Sequence, residues 1–374
     1  MAGIYIHIPF CKQKCHYCNF FSVASEKYKD QFIIALYKEI ALQKDYLGGE
    51  EIETIYFGGG TPSILSFDEI LMVLDEISKV HQIGMGAEIT LEANPDDLNK
   101  EKVLELRKTP VNRLSIGVQS FFKEDLKYLN RIHTGEQASL SISYAKEAGF
   151  DNLSIDLIYG IPTLTKEKWL ANLNKFFSFN LQHLSAYALT IEPKTALEIL
   201  INKGKIKPVN ENSIVGHFKQ LITLMNKQGF IHYEISNFCR EDFYSKHNKS
   251  YWFGKKYLGL GPSAHSFSGK SRQWNVSNIS KYISEIEMKK IPAEKENLTT
   301  IQKYNDYILT SMRTIWGIDS NYIKKHFGEE FLSHFKFYIK EYIKSGKVIR
   351  KQDKFFLSDN GKLFADGIAA GLFR

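Results

Sequence analysis

Six short apolar runs, each followed by a stretch of different pattern, fill the first half of this 374-residue chain. They fall at Gly3–Ile8, Glu53–Phe57, Glu88–Leu91, Arg113–Val118, Leu153–Ile158 and His183–Leu189. Between them, Phe32, Leu36 and Ile40 recur at i, i+4 spacing, and Ile70, Leu74 and Ile77 follow a Ser66-Phe-Asp-Glu69 capping-box pattern. A further helix is predicted after Thr134, ending near Gly149. Strands separated by helices pair in parallel, because antiparallel neighbours need only a tight turn. Six βα units are fewer than the eight of a closed TIM barrel. The expected fold is therefore α/β, a partial (β/α)6 TIM-type barrel, with a doubly wound sheet as the alternative.

Chemistry in such barrels gathers at the carboxyl ends of the strands. Unusual residues cluster there. Cys11, Cys15 and Cys18 follow the first strand, Gly58-Gly-Gly60-Thr-Pro62 the second, Glu92 the third and Gln119 the fourth. Iron–sulfur clusters are held by thiolates, so three local cysteines would hold three corners of a cubane and leave the fourth iron open. A zinc knuckle needs a fourth ligand, and the one remaining cysteine, Cys239, stands alone. His7 and His16 fall at no usual zinc spacing. Four cysteines in 374 residues, with no secretory signal before them, do not suggest a disulfide framework. The spacing favours a cluster over zinc or inert thiols. The glycines alone would merely permit a tight turn. Beside the cysteine loop they also leave backbone bare for a ligand.

Net charge +7 is a mild, diffuse excess that suits anionic ligands without naming nucleic acid. No apolar stretch approaches the roughly 20 residues of a membrane helix. Free thiols with no targeting segment before Gly3 point to the cytoplasm. The expected organisation is a barrel core over 1–192, an extension over 193–295 and a C-terminal module over 296–374. In the extension, a long helix around Ser213–Gln228 gives way to loop-like sequence. In the module, helices lead to short strands at Val348–Arg350 and Phe355–Leu357 and a final helix after Ser358, a winged-helix-like pattern. Lys324, Lys325, Lys336, Lys340 and Lys351 could form a nucleic-acid-binding face there, but lysines on amphipathic helices are more often simply solvated.

Cys-x3-Cys-x2-Cys with Tyr17 before its last cysteine resembles the signature of radical S-adenosylmethionine (SAM) proteins, and Gly-Gly-Gly-Thr-Pro resembles their methionine-binding strand end. Tyr-Ile-His-Ile-Pro-Phe-Cys, Leu-Glu-Ala-Asn-Pro, Arg-Leu-Ser-Ile-Gly-Val-Gln-Ser, Leu-Asn-Arg-Ile-His and Asp-Leu-Ile-Tyr-Gly-Ile-Pro follow in the order of the coproporphyrinogen-oxidase-like branch. The resemblance implies a 4Fe–4S cluster on Cys11, Cys15 and Cys18, with SAM chelating the open iron. It places Gly59, Gly60 and Thr61 at the methionyl amino end, Tyr5 and Tyr17 alongside the cluster and cofactor, and Glu92 near the ribose or sulfonium. Gln119, Arg131 and Asp156 match further SAM contacts, Arg131 pairing with the methionine carboxylate. Ala188 and the Ala264–His265 loop match the adenine end. As ordinary alternatives, Arg131 and Asp156 could form an ion pair and Glu92 could cap a helix.

That branch contains an oxidase that decarboxylates propionates through a 5′-deoxyadenosyl radical, and a haem chaperone. The oxidase carries an additional cysteine where this chain has Phe20, and an N-terminal extension that this chain is expected to lack. His247-Asn-Lys-Ser-Tyr-Trp252 matches the chaperone's haem-binding motif. The resemblance therefore implies haem on His247, with Tyr251 and Trp252 packing on the macrocycle and Arg240, Lys246 and Lys249 meeting its propionates. Cys239 departs from the family pattern, either as an inert thiol or as a haem contact. The expected partners are haem and an acceptor protein, with an electron donor such as flavodoxin or ferredoxin and transient membrane association left open. Whether SAM is cleaved, and whether haem is held covalently or by coordination, is also left open.

Overall fold

The computed structural model describes residues 2–374. Strands β1 (Ala2–Ile8), β2 (Ile52–Gly59), β3 (Ile83–Ala93), β4 (Arg113–Gln119), β5 (Asn152–Tyr159) and β6 (His183–Ala188) are parallel neighbours in chain order. A doubly wound sheet reverses its strand order partway. Here there is no reversal, so right-handed crossovers place every connecting helix on one side and curl the sheet into a barrel. The side chains alternate accordingly. Ile4, Ile6 and Ile8 are fully buried in the apolar core, while Tyr5 and His7 project from the opposite face. The capping box at Ser66 and Glu69 starts helix Phe67–Val80, and a second at Thr134 and Gln137 starts Gly135–Glu147. Gly149 follows the latter at φ +85°, the left-handed turn that glycine adopts without strain.

The loop-like extension differs from expectation. It contains helix Glu211–Lys227 and then six short strands: β7 (Ile231–Glu234), β8 (Asn237–Cys239), β9 (Tyr257–Leu260), β10 (His265–Phe267), β11 (Ser271–Asn275) and β12 (Ala293–Asn297). Strands of three to five residues are too short to display alternation in sequence. β9 runs parallel beside β1, and β10–β12 continue antiparallel from it. β8 and β7 extend the other edge beyond β6. The result is one open sheet of twelve strands ending in β12 and β7.

Helix Lys246–Trp252 packs against β1 and β2 from the face that carries Tyr5. The last 75 or so residues build a second core around Tyr304, Ile308, Phe335 and Phe355. Its three-stranded sheet orders β13 (Ile318–Asp319), β15 (Lys354–Leu357) and β14 (Val348–Lys351) side by side. Arg313 ties this unit to the barrel extension, its Nε and Nη2 both 3.1 Å from Oε1 of buried Glu234.

Candidate functional site

The carboxyl ends of β1–β6 open onto a cavity of about 780 Å³. Cys11, Cys15 and Cys18 line it as half-buried free thiols. Their loop is pinned by backbone bonds from Cys11 N to Val23 O (3.0 Å) and His16 N to Leu129 O (3.1 Å). Gly60 N donates to Ile8 O at 2.8 Å, seating the second strand's glycines beneath the loop. A Cβ on Gly60 would lie 2.7 Å from Phe10 O and 3.1 Å from Cys11 Sγ, so only glycine fits.

Side-chain donors are aimed at two of the three sulfurs. Thr61 Oγ1 donates to Cys11 Sγ and Arg131 Nη1 to Cys15 Sγ, each at 3.4 Å. Arg131 is anchored through Nη2 to Asn94 Oδ1 (2.6 Å) and Gly117 O (2.9 Å). Asn94 also donates to Thr61 Oγ1 at 3.2 Å and thus joins both donors. Asn94 was missed as a site residue, although it lies inside the Leu-Glu-Ala-Asn-Pro string. Burial pushes the Cys18 thiol up to about 11. At Cys11 the Thr61 hydroxyl and the Arg131 charge favour the thiolate, the form that would ligate iron.

On the far wall, Tyr56 OH donates to Glu92 Oε1 at 2.7 Å, and burial pushes Glu92 up to about 7. Burial likewise pushes Asp156 up to about 6, while Ser115 Oγ donates to it at 3.3 Å. Arg113, with Nε and Nη1 unbonded, is fully buried behind them. Gln119 sits at φ +65° beside a register shift in β4 and reaches the cavity, as do Tyr17, Gly59 and Ala188. Lys362–Gly367 of the C-terminal unit complete the wall. The fold thus brings twelve expected residues together from segments spread along the chain: Cys11, Cys15, Tyr17, Cys18, Gly59, Gly60, Thr61, Glu92, Gln119, Arg131, Asp156 and Ala188.

Three expected residues lie elsewhere. Tyr5 and His265 line a second cavity of about 1070 Å³ between the β1–β9–β10 side of the barrel and the C-terminal unit. His247 lines neither cavity and is 1% exposed. Its Nδ1 bonds Thr54 Oγ1 and its Nε2 bonds Tyr251 OH, each at 2.8 Å. Its ring stacks on Tyr56 at 4.9 Å, and burial lowers its pKa to about 3. The expected open haem ligand is here a neutral, doubly bonded core histidine. The motif's Tyr251 and Trp252 do reach the second cavity. Phe20 is 62% exposed and lines both cavities. Cys239 is wholly buried in β8 and lines neither cavity, and burial pushes its thiol up to about 12.

A three-cysteine loop above a glycine-rich strand end, at the mouth of an ordered parallel barrel, defines the radical SAM class. The sequence pattern of the Radical SAM superfamily matches residues 5–176. Among curated proteins, the chain is 32% identical to the heme chaperone HemW of Bacillus subtilis (strain 168) over 372 residues, 98% of each chain. It is 36% identical to HemW of Escherichia coli (strain K12) over 267 residues, covering 70% of this chain and 69% of that one. The chain belongs to the HemW family of radical SAM proteins. Among solved structures, coproporphyrinogen III oxidase (HemN) of Escherichia coli shares the fold at TM-score 0.86 and 24% identity, covering 100% of this chain and 90% of that one. Family membership implies SAM and a 4Fe–4S cluster, and the residues present fit both. Three thiols share one cavity, two of them already meet hydrogen-bond donors, and Gly60 leaves room for the Cys11 sulfur. No helix among the described residues is long and apolar enough to cross a membrane.

Proposed function

We propose that this protein is a haem chaperone that binds haem and passes it to an acceptor protein, with a SAM-ligated 4Fe–4S centre in its barrel. The observation that carries this reading is the pair of cavities meeting at Phe20. One is lined by three cysteines, and the other is walled by aromatics that include Tyr251 and Trp252 of the haem motif. The HemW of Bacillus subtilis, which matches over 98% of each chain, supports the same reading.

Cys11, Cys15 and Cys18 would hold the cluster, whose open iron would supply a chelation point for SAM. Gly59, Gly60 and Thr61 receive the methionyl amino end, and Arg131 the carboxylate. Glu92 and Asp156, raised by burial, accept or share protons with ribose hydroxyls, and Gln119, Tyr17 and Ala188 close the pocket.

Phe20 stands where the oxidase branch has a cysteine, which favours carriage over decarboxylation. Anaerobic reconstitution, haem titration and a coproporphyrinogen assay on one sample test this. Stoichiometric haem binding without protoporphyrinogen formation is expected. Turnover of coproporphyrinogen would establish the oxidase instead.

A further inference from the structure

The second cavity contains imidazoles whose nitrogens are not committed elsewhere. Of the three histidines lining it, His7 is occupied, with Nε2 on Phe21 O at 2.8 Å and Nδ1 on Tyr5 OH at 3.2 Å. His326 belongs to helix Ser320–Phe327 of the C-terminal unit, where its ring lies flat against Tyr322 at 4.0 Å rather than on the strand that carries the aromatic wall. His265 is exposed, and neither ring nitrogen has a hydrogen-bond partner among the described residues. It is held in place from behind. β10 pairs with β11, and the ring packs on Trp274 at a centroid distance of 6.3 Å.

His265 also shares a face with the aromatics. Alternation along β10 puts it on the side of Phe267, whose ring lies 6.3 Å from that of Tyr257. Tyr257 in turn meets Tyr251 edge-on at 4.7 Å. Across the cavity stand Lys303 and Lys354, neither with an acidic partner among the described residues. A volume of about 1070 Å³ is at the upper limit of small-molecule sites, which run to roughly 1,000 Å³. An aromatic wall, a free imidazole on a rigid strand and two unpaired ammonium groups suit a flat, iron-bearing macrocycle with carboxylate arms.

We propose that the haem is seated in this cavity between barrel and C-terminal unit, with His265 as its axial ligand and Lys303 and Lys354 facing its propionates. This rests on the haem-carrier reading. His247 then acts as a positioning residue: its bond to Tyr251 OH fixes part of the wall, and its own nitrogens stay occupied.

The test is haem titration of the full chain, read by the Soret band and by magnetic circular dichroism for imidazole ligation. His265→Ala should lose the imidazole signature, weaken binding at least tenfold and regain the signature when free imidazole is added. His247→Gln, which can keep one hydrogen bond in the core, should retain the signature. Lys303→Gln combined with Lys354→Gln should weaken haem binding severalfold while leaving the signature unchanged. An unaltered signature in His265→Ala, or its loss in His247→Gln or His326→Ala with His265 intact, would overturn the assignment and leave the carrier reading standing. Failure of the unaltered protein to bind haem at all would instead remove the carrier reading itself.

Discussion

Arg131 reaches across 116 residues of sequence to place its Nη1 3.4 Å from the Sγ of Cys15. The same guanidinium is anchored by Asn94 and Gly117, so the cysteine loop is tied to the ends of β3 and β4 as well as to its own strand. A charged donor on a thiolate stabilises the ligating form, and a buried cation without that anion would be costly.

Replacement of Arg131 by Met should therefore act on the cluster and on SAM. Cluster content after anaerobic reconstitution is expected to fall by about half, and SAM affinity by at least tenfold, equivalent to about 1.4 kcal/mol. Iron and sulfide analysis with equilibrium SAM binding checks both. Unchanged SAM affinity would exclude Arg131 as the carboxylate partner.

Gly60→Ala tests the fit of the strand end under the loop. Its Cβ would press on the carbonyls of Ile8 and Phe10 at 2.8 and 2.7 Å, which are backbone atoms that cannot swing away. Overpacking of this kind costs about 1–3 kcal/mol. A lowered denaturant midpoint is expected, together with impaired cluster assembly.

Arg313→Ala should loosen the C-terminal unit. Glu234 is 3% exposed and would keep only neutral donors, Ser236 N at 2.9 Å and Asn237 Nδ2 at 2.7 Å. Breaking a buried pair from one side costs roughly 3–5 kcal/mol, and the part-exposed Arg313 places this case at about 3. Hydrogen exchange should quicken in Thr300–Met312 more than in β1–β6.

The unliganded protein should lose stability as pH rises from about 4.5 towards 7, because Glu92 moves from an ordinary 4.5 to about 7 on folding. The folded state binds the proton more tightly, so its advantage is complete below the unfolded value and is lost as pH climbs through the folded one. Asp156, raised to about 6, adds in the same direction. Glu92→Gln should flatten the profile across this window, as measured by denaturant unfolding at several pH values.

Much of this site was legible in the chain. Cys11, Cys15 and Cys18 are local in sequence, and Gly59, Gly60, Glu92 and Gln119 each terminate a strand whose apolar pattern is plain. Asn94 escaped notice because a lone asparagine after a strand has no distinguishing neighbour, and its role exists only once Arg131 and Thr61 converge on it. His247 is the opposite case. Its motif is plain in the sequence, but its burial depends on what β1 and β2 place around it, and Thr54 is 193 residues away.

What the sequence determined by itself was everything carried by local periodicity and spacing: six parallel strands with helices between them, a three-thiol loop at one end, and helix starts such as Ser66 and Thr134. Only the tertiary structure decided that β9 would flank β1, that a second cavity would open between the barrel and the C-terminal unit, and that His265 would face it while His247 would not. Strand pairing between distant three- to five-residue segments leaves no periodic trace. Whether a histidine is a ligand or a core residue depends on which hydrogen-bond partners the fold brings within about 3 Å of its nitrogens.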